Sequence, residues 1–422
     1  MLVGFVLYTI GLVALLTTFL PFSPLTIDLV NLSRESQLAI WRHRNKLWTV
    51  AGVCWLAACG VGLAAIVKDS GNGSALVLTT VASACLMAFM FWTGYVPFVM
   101  TPPDEARHLD GHAAKGLVPD DEIVLGVSFD GAACAYRRDQ IARPHYFKDT
   151  IAGKDFIVSY CILCNSATAF ETRLDGNALD LRCLTAFNNN IIYIDADSGN
   201  VIQQLDARVI DGPAKGDQLT MLPVTMSRWD DWSDLHPHTQ LYDAPARKLR
   251  DRLVALMLEI LIPISKLSKR SQPWHRIRGR LDERLAAMSF VLGVEVGEDA
   301  IAYALDDVRE QSVIEDSVGN SALVLFHDKT RDVAQVFNRH VDDKELHFRV
   351  CSQFGSVAED IETGSKWDVT GRATDGTYQG KQLTALPHFN KLFWFSWALF
   401  KPNTRVYSFD SPNNVAGETA LS

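Results

Sequence analysis

The hydrophobic pattern of the chain changes character twice. Three apolar runs come first: Met1 to Phe22, Leu47 to Val67 and Ala75 to Met100, none containing a charged residue. Each is about as long as the ~20 residues a helix needs to cross a bilayer. The first run lacks a basic leading segment and an obvious small-residue cleavage site, so it reads as a spanning helix and not as a signal peptide. No acid or base sits within the three runs, so they offer an anchor and no ionisable lining for a transport path.

After Thr101-Pro-Pro103 a polar linker, expected to be flexible, leads to about Asp121. The pattern then shortens to strand length. Glu122 to Phe129 and Ala132 to Tyr136 flank Asp130-Gly131, which is the chemistry of a tight hairpin. Further short runs at Asp155 to Cys161, Ala178 to Cys183 and Ile191 to Ile194 are punctuated by Asp175-Gly176 and Asp197-Ser-Gly199. No long helical period intervenes before Asp243, so this region reads as β-rich with a few helical turns.

The pattern then recurs. Leu125-Gly-Val127 returns as Leu292-Gly-Val294, and Ala135-Tyr136 as Ala302-Tyr303, at one constant offset that also joins Asp149 to Asp316 and Phe170 to Phe337. After a short deletion, Gly212, Gly216 and Gln218-Leu-Thr220 match Gly376, Gly380 and Gln382-Leu-Thr384. Trp229, Trp232, Thr239 and Tyr242 then land on Trp394, Trp397, Thr404 and Tyr407. Register held over that distance is the mark of an internal repeat. The expected architecture is three N-terminal transmembrane helices followed by a β-rich α+β region built from two tandem repeats of one domain. Its segments are an anchor over 1–100, a linker over 101–121, repeat one over 122–243, a basic helical linker over 244–288, repeat two over 289–410 and a flexible tail over 411–422.

Within the helical linker, an apolar run from Leu253 to Ile264 has basic residues on both sides. It is too short to span a bilayer, and its flanks suit an amphipathic helix over 252–270 lying on anionic lipid headgroups. A helix packed between the repeats is the equal alternative. The formal net charge of −9 argues against nucleic acid as the main partner. No serine–histidine–aspartate spacing, phosphate loop or paired-carboxylate signature supports a hydrolase or a kinase.

Of eight cysteines, Cys54, Cys59 and Cys85 fall in the apolar runs, and the remaining five are an odd, scattered set unlike a disulfide framework. Cys161 and Cys164 stand apart from the rest. An apolar run, Phe156-Ile-Val158, delivers them into a polar turn at Asn165-Ser166, with spacing that suits a shared metal or a disulfide. The bland reading is a pair of small buried hydrophobes.

Tyr160-Cys-Ile-Leu-Cys-Asn-Ser166 resembles the T-Y-C-P-L-C-N-S signature of the bacterial domain-of-unknown-function family 3179. The resemblance covers Glu122 to Tyr242 well and Val291 to Tyr407 more faintly; it implies a domain type and no reaction. It also aligns His145 with a histidine of the family motif. Where the family has a T-x-S-W-W-Q-Q run, this chain has Ser198-Gly-Asn-Val-Ile-Gln-Gln204, which puts any shared pocket in doubt.

The repeat sorts residues by what is lost. Cys161, Cys164 and His145 become Asp328, Arg331 and Ser312, so three ligand types vanish together. They are the candidate site for zinc, copper or iron, or for thiol redox chemistry, with Tyr160, Asn165, Ser166 and Asp149 supporting. Cys183 becomes Val350, which favours a core role. Asp149 and Asp316, each followed by a hydroxyl residue, read as caps of local backbone. The alternative reading is a non-catalytic, membrane-tethered binding or assembly module with structural cysteines.

The family resemblance implies a bacterial inner-membrane protein with the repeats outside the cytoplasm. The basic residues Arg34, Arg42, Arg44 and Lys46 of the first loop argue for the opposite orientation.

Overall fold

The computed structural model describes residues 1–69, 71–103, 107–245, 249, 251–253, 256, 269–351, 353 and 355–408. The expected amphipathic helix over 252–270 and the tail over 411–422 lie largely or wholly outside these residues. The chain forms two compact units.

The first unit holds three long helices, α1 (Leu2–Phe19), α2 (Arg34–Val67) and α3 (Gly73–Gly94). All three are long and apolar enough to cross a membrane, which makes this a membrane protein. Helix α2 begins well before its apolar run. Ser33 caps it by accepting from the Ser36 amide at 3.2 Å, and the polar residues up to Lys46 are sound helix formers. Polar groups in the apolar region are satisfied between helices: Tyr8 Oη meets Ser83 Oγ at 2.9 Å, and Trp48 Nε1 donates to Thr18 Oγ1 at 2.9 Å. Residues Arg182–Ile194 cluster with these helices, and Thr185 Oγ1 donates to the Pro21 carbonyl at 3.1 Å.

The second unit is built from strands. From its start these include β1 (His108–Asp110), β2 (Ile123–Phe129), β3 (Ala132–Arg137), β4 (Tyr146–Ile151), β5 (Lys154–Cys161), β6 (Ser166–Glu171), β7 (Val224–Arg228) and β8 (Gln240–Tyr242). Asp130 and Gly131, with φ of 50° and 78°, make the tight turn between β2 and β3. One sheet has the order β1-β8-β3-β2-β7, and β4-β5-β6 form an antiparallel meander beside it. Strand β8 lies parallel to β3, with Leu241 opposite Ala135.

From Phe290 the strands include β9 (Phe290–Val296), β10 (Asp299–Ala304), β11 (Val313–Val318), β12 (Ser321–Asp328), β13 (Val333–Asn338), β14 (His388–Phe393) and β15 (Arg405–Val406). They give the sheet β14-β9-β10-β15 and the meander β11-β12-β13. Here β15 lies parallel to β10, with Val406 opposite Ala302. Tyr136, Phe147 and Tyr242 centre one core, and Tyr303 and Tyr407 belong to another.

Helices α4 (Trp229–Leu235) and α5 (Trp394–Phe400) cover the two sheets. Trp232 Nε1 donates to Thr239 Oγ1, and Trp397 Nε1 to Thr404 Oγ1, both at 2.8 Å. A Cβ on Gly126 would stand 2.2 Å from the Trp232 ring, and one on Gly293 would stand 2.6 Å from Trp397. These two glycines therefore clear space for an indole; the turn glycines Gly212 and Gly376 instead have positive φ.

The halves are joined by a shielded ion network. Lys401 Nζ sits 3.0 Å from Asp206 and 2.6 Å from Glu295, and Arg208 reaches Glu295 at 3.5 Å.

Candidate functional site

The paired cysteines lie where β5 turns into β6. Cys161 and Ser166 are the last partners of that ladder, and Asn165 takes the left-handed conformation (φ 54°) that closes the turn. The turn folds Cys164 Sγ to 4.0 Å from the Cys161 carbonyl and 3.1 Å from Ser166 Oγ. Ser166 Oγ donates to Gln204 Oε1 at 2.8 Å, and Gln204 Nε2 donates to Thr168 Oγ1 at 2.9 Å. All of these side chains are buried, so this polar network is satisfied internally. Tyr160 Oη donates to Asn165 Oδ1 at 2.6 Å, and Asn165 Nδ2 donates to the Lys391 carbonyl at 2.5 Å. The Phe393 amide donates to the Cys164 carbonyl at 3.1 Å, so β14 of the second half covers the turn.

His145 is directed elsewhere. Its Nδ1 lies 3.1 Å from the Tyr160 carbonyl, and its own carbonyl accepts from the Tyr160 amide at 2.9 Å. Burial pushes its imidazole down to about 4, while burial and then the neighbouring Cys164 push the Cys161 thiol well above its usual range. Among the described residues, His145, Cys161 and Cys164 are not a group whose ligand atoms gather within 4.8 Å. One nitrogen of the expected imidazole ligand is thus turned to backbone.

A different group does gather. Ligand atoms of His108, Cys134 and Asp149 all lie within 4.8 Å of one another and form a donor set able to hold a metal ion. Three strands position them. His108 on β1 pairs opposite Tyr242 of β8, Gln240 of β8 pairs opposite Cys134 of β3, and Asp149 points inward from β4. Asp149 Oδ2 accepts from Tyr136 Oη at 2.6 Å and meets His108 Nε2 at 2.8 Å, while the Thr150 amide donates to Oδ1 at 2.7 Å. The last contact is the expected backbone cap; the other two were not anticipated. The Asp149 side chain is only 1% exposed, so its charge needs partners. Tyr242, stacked on Phe147, borders the group, and burial together with Asp149 and Cys134 pushes its phenol up to about 12.

The family model described as a protein of unknown function, DUF3179, matches residues 96–404. The chain belongs to this family. No curated protein and no solved structure matches it.

In this DUF3179 protein, His108 escaped sequence reasoning because it lies in what reads as a polar linker. Cys134 carried an overlooked signal. The ladder partner of Val127 is Cys134, whereas the ladder partner of Val294 is Ile301. The expected repeat sets Cys134 against Ile301, a cysteine against a plain aliphatic, which is the signal that singled out the other candidate ligands.

Proposed function

We propose that this DUF3179 member is a membrane-anchored thiol-redox protein built from two copies of one domain, with Cys161 and Cys164 of the first copy as its redox pair. Support for duplication is the matched pairing of strands, the parallel placement of β8 and β15, and the two indole–glycine contacts.

The observation that carries the redox reading is the turn itself. Cys161 and Cys164 occupy positions whose counterparts, Asp328 and Arg331, are in direct contact at 2.8 Å. In the first copy the Cys161 and Cys164 side chains hydrogen-bond each other directly, so the two sulfurs lie side by side. With the His145 ring held on the Tyr160 carbonyl, a dithiol suits the site better than a cysteine–histidine metal centre. Burial favours the two uncharged forms, dithiol and disulfide, over a thiolate. The pair therefore suits slow, gated exchange: two thiols pass two electrons to a partner disulfide, which leaves as two thiols while Cys161 and Cys164 become joined. An oxidising compartment outside the cytoplasm is the orientation that goes with this chemistry.

The test is thiol counting on the full chain in detergent, equilibrated in glutathione buffers of graded poise and then alkylated under denaturing conditions. Two thiols should disappear together from the peptide containing Cys161 and Cys164. If that peptide stays reduced at every poise, the cysteines are structural and the tethered binding-module reading takes its place.

A further inference from the structure

The two sheets carry the same buried acid with different neighbours. In the second half, Asp316 accepts from Tyr303 Oη at 3.0 Å and from the Ser317 amide at 2.7 Å, and its charge is balanced by Arg405 Nη2 at 2.8 Å. Arg405 lies opposite Ile301 in the parallel ladder. In the first half, Gln240 lies opposite Cys134 at that register, so the arginine and the isoleucine are both replaced. Asp149 keeps the tyrosine and the backbone amide but pairs with no lysine or arginine among the described residues. An additional edge strand, β1, brings His108 in their place. A built-in cation has been exchanged for three donor atoms.

We propose that His108, Cys134 and Asp149 form a binding site for a borderline divalent cation of the zinc class, independent of the paired cysteines. One imidazole nitrogen, one sulfur and one carboxylate oxygen are the mixed donor set that such ions accept. Charge supports the assignment: a dication with one thiolate and one carboxylate is neutral overall, as a buried site requires. Uptake of the ion displaces the Cys134 proton to solvent and forms the metal–sulfur bond, so one proton is released for each ion bound. Tyr136 Oη, already on Asp149, holds the carboxylate in place as an outer partner. A second observation bears on the same site. Tyr242 is 1% exposed, its hydroxyl has no hydrogen-bond partner among the described residues, and its ring stands 5.8 Å from that of His108 and 5.4 Å from that of Tyr136. A buried hydroxyl is costly to leave unpaired, and a bound ion or its water gives that group something to meet.

The experiment uses the full chain in detergent, stripped with a chelator and then titrated with Zn²⁺ or Co²⁺. Uptake of a single equivalent is expected, and the cobalt form should show thiolate-to-metal charge-transfer absorption. Cys134→Ser should abolish that absorption and weaken Zn²⁺ binding at least about tenfold, and Asp149→Asn should weaken it similarly. The double variant Cys161→Ser/Cys164→Ser, and Asp316→Asn, should bind as the parent does. If a core variant fails to fold, His108→Ala on the short edge strand serves the same purpose. The proposal is overturned if no stoichiometric ion binds. It is overturned equally if the absorption survives Cys134→Ser, or if it disappears only with Cys161 and Cys164, which would place the ion on the turn instead.

Discussion

Arg331 Nη1 stands 2.8 Å from Asp328 Oδ2, closing the turn between β12 and β13 with an ion pair. In the other meander the same two places hold Cys164 and Cys161, because Cys161 pairs with Ser166 as Asp328 pairs with Val333. Charge attraction closes one turn; the other is closed by packing, a hydrogen-bond network and, on the proposed reading, a reversible bond.

Oxidation of that pair should stabilise the protein only modestly. Closing so short a loop restricts the unfolded chain by about 2 kcal/mol or less. Thermal melts of oxidised and reduced full-length protein are expected to differ by a few degrees. The difference should vanish in Cys161→Ser/Cys164→Ser, and its persistence there would assign it to other cysteines.

Gly126→Ala should destabilise the first half by about 2–3 kcal/mol, because the new methyl meets the Trp232 ring at 2.2 Å. Trp232→Phe in the same chain shortens the ring and should recover part of the loss. Denaturant titration of the two single variants and the double variant checks this; strict additivity would mean that the contact is not the cause.

Lys401→Met removes a cation whose side chain is only 10% exposed and leaves Asp206 and Glu295 with Arg208 alone. The expected cost is about 3 kcal/mol. Adding Glu295→Gln removes one of the stranded charges, so the double variant should be more stable than Lys401→Met by denaturant midpoint.

Acid should weaken the fold through its buried histidines. Burial holds His236 and His145 down to about 4 in the folded protein, against an ordinary value of 6.5. Between those values the unfolded chain binds more protons, so stability is full above about pH 6.5 and falls as pH drops towards 4. Each group contributes up to about 3 kcal/mol to the fall. His236, whose ring lies 3.9 Å from that of Trp232, can be replaced by phenylalanine without losing that packing. His236→Phe should flatten the dependence of midpoint on pH over this range; an unchanged slope would show that this histidine does not contribute.

Much of the architecture is legible in the sequence because local chemistry sets it. Charge-free runs mark the three long helices, and Asp130-Gly131 marks the first hairpin. The spacing of Trp232 and Thr239 reappears as a hydrogen bond. The metal-competent group is illegible for the opposite reason. His108 joins it only through a three-residue strand whose partner, β8, lies far along the chain, and no local pattern announces that pairing. Asp149 looks like a cap because one of its oxygens is one, while the other is claimed by residues on two other strands. The expected repeat groups His145 with the cysteines, but a residue pattern alone does not say which way a ring turns, and one nitrogen of this ring lies on the Tyr160 carbonyl.

Residues Arg182–Ile194 lie in the same compact unit as the three helices, with Leu184, Ile192 and Tyr193 fully shielded. A truncation beginning after Thr101 would strip that segment of its neighbours and leave an oily, strand-forming stretch in water. Such a fragment is expected to precipitate or to need detergent, even though it lacks every spanning helix. The helices are thus a folding partner for Arg182–Ile194, and the protein should be handled whole.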